Sequence, residues 1–318
     1  TGIAYRGDNL TVVGNNITLD SSEQGNLSVW EGFGVESVGI KVIKGDVSIE
    51  DNNIATQGKG VSLTTDGVAE VINNTILVVA NDDADAYAVY AENLAGLNMT
   101  DNVVRYYGKT KGTGVNNAVY LYNITGPSII GNEFDLSLVS SYVPWFEIPA
   151  GSVIWVSFPI SEGIVIETCN GVDFENNCVN VTSSDVVGYY DTIYAVSVKD
   201  SNTVLIAHNN ITALGHTYIY GLQMNANDFV ISGNNISVES DNYYANGIDV
   251  EGIADGEIVD NLIDVVGVES AYAIYSGMNG QNVSTVLAKN EICAEAYNVF
   301  GVSSGDVKCI IMENDFLL

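Results

Sequence analysis

Two pairs of carboxylates stand at a spacing that acid–base chemistry on a sugar can use. Glu133 and Asp135 flank Phe134, and Asp249 and Glu251 flank Val250. On an extended strand, residues two apart point to the same side, about 6.5–7 Å apart at the backbone. That separation suits inverting glycoside hydrolysis, in which one carboxyl protonates the leaving oxygen and the other activates water. Arg105 occupies the position of Asp135 one repeat earlier and is the basic group a lyase would need. With 40 acidic residues in a chain of 318, such pairs also arise by chance, and the reading favours a protein that is not an enzyme. His208 and His216 stand apart from any Ser or Cys pattern, and His208, directly before Asn209, reads as a turn residue. There is no Cys/His metal spacing and no phosphate loop. In "NDDADAY", Asp82, Asp83 and Asp85 cluster hard oxygens that suit Ca²⁺ as a cofactor; the plainer reading is a solvated acidic loop.

The elements that position these residues show in an internal repeat. "GNNITL", "DNNIAT", "NNTILV", "DNVVRY", "GNEFDL", "NNCVNV", "HNNITA", "GNNISV", "DNLIDV", "KNEICA" and "ENDFLL" align on Asn15, Asn52, Asn74, Asn102, Asn132, Asn177, Asn209, Asn234, Asn261, Asn290 and Asn314. The steps run from 22 to 45 residues. A large apolar residue follows each Asn by two, as Ile211, Ile236 and Ile263 do, and another precedes it by three, as Ile206, Ile231 and Ile258 do. Period-two alternation means strands with these residues on one side. A third apolar segment, such as "YAVYA", "YIYGL" or "YAIYS", completes each unit, and no helix-length pattern occurs. Three short strands per repeat bury one face each only if the chain winds into stacked parallel coils, here about eleven. The expected fold is therefore all-β, a parallel β-helix (β-solenoid) spanning 1–318 as one domain. The Asn falls at a bend, where stacked coils would set one amide above the next in a ladder, because a buried amide must be hydrogen-bonded.

Strict alternation predicts one outward stripe on the third segment: Lys41, Ser62, Tyr90, Tyr120, Val165, Ser197, Tyr220, Asp249, Tyr275 and Phe300. Its aromatic members, Tyr90, Tyr120, Tyr220, Tyr275 and Phe300, are candidates for contact with glycans or a partner protein. The longest step contains an aromatic insertion at 137–161, whose Trp145 and Trp155 are further candidates.

On the Asn-x-Ile/Val/Phe units, which cover almost the whole chain, the sequence resembles the right-handed parallel β-helix, or pectin-lyase-like, family. That resemblance implies the fold and leaves function open, since the fold hosts lyases, hydrolases, adhesins and phage spikes. The low basicity and abundant Asn, Thr, Tyr and Val also resemble adhesin-like and sheath or envelope proteins of methanogenic archaea.

A formal charge of −30 argues against nucleic acid as partner, because phosphates need a basic patch. No apolar stretch has membrane-spanning length, so membrane insertion is not expected. Ten Asn-x-Ser/Thr sequons, from Asn9 to Asn282, fit an exported glycoprotein, although an Asn bend followed by an alternating Thr makes sequons unaided. Cys178 and Cys293 are expected to face outward on second strands, free to cross-link chains, and Cys309 to face inward and be buried. The end units, Leu10–Leu19 and Cys309–Leu318, carry apolar residues without polar caps. The leading expectation is an extracellular, non-catalytic structural protein that stacks head to tail in a cell-surface sheath or envelope layer. An adhesin-like protein binding surface glycans and a polysaccharide lyase or glycoside hydrolase are the alternatives.

Overall fold

The computed structural model describes residues 1–19, 37–80, 86–111, 116–141, 160–183, 192–251, 255–277, 284–304 and 308–318. Among these, every regular element is a β-strand. The strands form stacked coils of a parallel β-solenoid. In one coil, Tyr218–Ala226 lies in sheet A, Asp228–Ser232 in sheet B and Asn235–Ser240 in sheet C. Each pairs in parallel with its counterpart one coil on. Sheet C holds eleven strands, from Asn16–Thr18 to Asp315–Leu317. Sheets A and B join into one 21-stranded sheet because the long strand Thr192–Ala207 runs through both.

The core follows from alternation. Ile211, Ile236 and Ile263 stack in register and are fully buried, as are Ile206, Ile231 and Ile258 from sheet B. Like residues sit one above another in the stack, so each coil buries the apolar face of the next.

The bend between sheets B and C has one geometry throughout. The residue before each repeat Asn is left-handed, with φ between 53° and 69°: Gly14, Asp51, Asn73, Asp101, Gly131, Asn176, His208, Gly233, Asp260, Lys289 and Glu313. Turn preference acts there and admits several residue types. The next position is always Asn, for a different reason. Asn209 Nδ2 donates one proton to Asn234 Oδ1 (3.0 Å) and the other to Phe174 O of the preceding coil (2.8 Å). Its own Oδ1 accepts from the backbone N and the Nδ2 of Asn177. The same links run unbroken from Asn15 to Asn314. An Asp could not donate and a Gly could neither donate nor accept, so only the amide satisfies every rung.

Sheet A departs from simple alternation. Midway along its strands sits a small residue, Gly60, Ala88, Ala118, Gly163, Ala195, Gly221, Gly247, Ala273 or Gly301, and the pairing register skips it. At Gly221 an added Cβ would lie 2.7 Å from the Gly247 carbonyl oxygen. The strand bends there, and two successive residues face inward, as Ala88 and Val89 do. Outward residues therefore recur three apart across the bend rather than two.

Candidate functional site

That bend splits the expected outward stripe in two. One line runs Tyr90, Tyr120, Val165, Ser197, Gln223, Asp249, Tyr275 and Ser303. The other, on the far side of the bend, runs Glu162, Tyr194, Tyr220, Asn246, Tyr272 and Phe300. Tyr220 and Phe300 thus belong to a different line from Tyr90, Tyr120 and Tyr275, because each directly precedes the small residue at the bend. Alternation missed Tyr194, Asn246 and Tyr272; the recurring Gly or Ala inside each third segment was the signal that could have found them.

The aromatic rings pack along both lines. Tyr90 stacks on Tyr120 with centroids 5.8 Å apart, and Lys59 sits over the rings of Tyr87 (5.6 Å) and Tyr90 (5.0 Å). Farther along, Tyr194 meets Tyr220 (4.6 Å), Tyr220 meets Tyr244 (5.9 Å), Tyr244 meets Tyr272 (5.0 Å), and Tyr272 meets Tyr275 (5.8 Å) and Phe300 (4.5 Å). All five tyrosines are half-buried.

Between these rings lie polar groups that the protein does not satisfy. Asn246, in register between Tyr220 and Tyr272, is 1% exposed, and neither its Oδ1 nor its Nδ2 has a hydrogen-bond partner. Asp249, between Gln223 and Tyr275, is 4% exposed with an unpaired Oδ1. Burial, and then the charge of Glu251, pushes the Asp249 carboxyl up to about 7. The hydroxyls of Tyr220 and Tyr244 are held above the usual phenol range, first by burial and also by the nearby Asp249. Around this pair the polar groups are connected: Ser197 donates to Gln223 Oε1 (2.8 Å), and Gln223 Nε2 donates to Glu251 Oε2 (3.2 Å). Glu162 is buried and paired with Lys199 at 2.5 Å. Asp249 and Glu251 are thus brought to one face with unequal surroundings, one carboxyl buried and the other exposed.

The other sequence candidates are placed differently. Glu133 and Asp135 lie on sheet C with Arg105 directly opposite Asp135, but Arg105 and Glu133 are exposed, and no wall of buried polar groups surrounds them. Cys178 and Cys293 are free, half-buried thiols on sheet C strands. Cys169 is free and buried, its thiol pushed up to about 11 mainly by burial. Cys309, expected to be buried, is only half-buried, because among the described residues its strand pairs on one side only, with Ser284–Ala288. Trp145, Trp155, Asp82, Asp83 and Asp85 lie outside the described residues. Among the described residues no group of three His, Cys, Asp or Glu could hold a metal, and no helix is long and apolar enough to cross a membrane. An open groove of about 880 Å³ on sheet B is lined by Leu205, Val230 and Val286 with Asp228, Asp255 and Glu257. Those three acids are exposed, while Asp173, also on its wall, has a buried Oδ1 without a hydrogen-bond partner.

By fold the chain is a parallel β-solenoid with an aromatic, acid-floored face on sheet A. No known protein family matches it, and neither does any curated protein. Among solved structures it is similar to the crystal structure of the periplasmic alginate epimerase AlgG, with 10% identity over 88% of this chain and 71% of that chain, at a TM-score of 0.39.

Proposed function

We propose that this protein is an exported, glycan-binding β-solenoid and that the outer face of sheet A is its binding surface. One observation carries the reading: Asn246 is buried between Tyr220 and Tyr272 with both amide atoms unpaired. Buried polar groups are normally satisfied, and an unpaired one costs about 1–3 kcal/mol. A saccharide would supply what is missing, with hydroxyls for Asn246 and Asp249 and an apolar ring face for the tyrosines. The rigid stack of coils holds these groups in fixed register and offers a long track for a polymer. A glycan array followed by titration of the hits tests this. Tyr272→Leu should abolish binding while Tyr107→Leu, on the exposed side of sheet C, leaves it intact. An array with no hits, or a Tyr272 variant that binds as before, would refute it.

A further inference from the structure

The same face shows which kind of saccharide it would take. Near its start, the Lys59 ammonium rests over Tyr87 and Tyr90, a cation held on tyrosine faces by the ring quadrupole. Four coils of the stack farther on, tyrosines recur on the same sheet, but acids and an amide lie among them. Tyr220, Tyr244, Tyr272 and Tyr275 form a connected arc of rings, with successive centroids 5.0 to 5.9 Å apart. Asn246 and Asp249 lie within that arc, both more than nine-tenths buried, with unpaired oxygens. Between residues 218 and 277 the sequence has no Lys or Arg at all, against ten Asp and Glu. Lys199, on the sheet A strand that pairs with the Tyr220 strand, is already paired with Glu162.

We infer that the tyrosine arc around Asn246 and Asp249 is a cage for an organic ammonium group, and that on the glycan reading above the ligand is an amino sugar with a free, protonated amine. Three features make the cage selective for a cation. The ring faces attract positive charge. The buried Asp249 oxygen gains a charge-assisted partner that nothing in the fold supplies. The surrounding excess of acids draws cations in and repels uronic acids and sulfated sugars. An N-acetylated or neutral sugar would satisfy Asn246 and leave the Asp249 charge unpaired.

The test is calorimetric titration of the whole chain with chitosan oligosaccharide, with its fully N-acetylated counterpart, and with tetramethylammonium. The expected result is that chitosan oligosaccharide binds at least about tenfold more tightly than the acetylated form. Asp249→Asn, which is isosteric, should erase that preference, as should Tyr244→Leu; Tyr107→Leu, on sheet C, should retain it. Circular dichroism melts confirm that each variant is folded. Equal affinity for the two oligosaccharides would overturn the ammonium cage while leaving the glycan reading in place. Binding of tetramethylammonium at the Asp249-dependent site with no binding of any saccharide would uphold the cage and overturn the glycan reading. Absence of binding by all three probes would overturn the cage.

Discussion

Replacing Asp249 by Asn should stabilise the protein, and only above about pH 4. The carboxyl rises from 3.8 to about 7 because burial disfavours its charged form and Glu251 adds like charge. An acid raised on folding binds its proton more tightly in the native state. Stability linked to it is therefore fully present below the unfolded value and is lost as pH climbs toward the folded one. A shift of about 3 units at 1.36 kcal/mol each gives about 4 kcal/mol, an upper figure for a single site. The variant keeps the shape and cannot ionise. Urea unfolding of both proteins from pH 4 to pH 9 should show near-equal stability at pH 4. The variant should then gain a growing advantage that levels off just above pH 7 at no more than about 4 kcal/mol. A difference that stays flat across this range, or one that favours the native Asp at high pH, would refute the placement of an unpaired carboxyl in a buried site. A residue that weakens the fold at neutral pH is the pattern expected where binding sets the side chain.

Three further outcomes follow from the fold. Asn209→Leu strands the Asn177 N–H and Nδ2 donors and the Phe174 carbonyl, and should cost about 3–5 kcal/mol in denaturant titrations; a loss below 1 kcal/mol would mean that the ladder is incidental. Ile236→Asp places a charge between Ile211 and Ile263 where no partner exists, and should lower stability by several kcal/mol or prevent folding, read by thermal melting. With a thiol reagent on the native chain, Cys169 should react far more slowly than Cys178, because its thiol is buried and pushed up to about 11; equal rates would contradict the burial of Cys169.

The solenoid was legible because each coil repeats one physical demand. Asn-x-Ile units give both the bend and the inward phase, so residues such as Ile236 and Phe134 could be assigned inward from spacing alone. The left-handed position before each Asn was less visible, since Gly, Asp, Asn, His, Lys and Glu all occupy it; only the amide after it repeats. On sheet A the same logic failed part-way. Tyr90 and Tyr120 were placed together, and they stack. Tyr220 and Tyr275 were put on one line and lie on two, because a Gly or Ala bend inserts an extra inward residue that a period of two does not contain. Gly247 directly after Asn246 could have put it on the second line, but not shown it to be unpaired. Its importance comes from what stands on the neighbouring coils, Tyr220 and Tyr272, and from lacking a partner, which only three-dimensional packing reveals. The pair Asp249 and Glu251 was visible as two acids; the buried state of one and the exposed state of the other was not.

The claim that the outer face of sheet A is the binding surface can be read residue by residue. The whole chain is oxidised with hydroxyl radicals, with and without saturating chitosan oligosaccharide, and the modified tyrosines are mapped by mass spectrometry. The expected result is that the ligand protects Tyr220, Tyr244, Tyr272 and Tyr275, while Tyr107 on sheet C and Tyr297, which is 89% exposed, are modified equally in both samples. Protection of Tyr107 or Tyr297 instead, or oxidation of the four arc tyrosines unchanged by bound ligand, would contradict it.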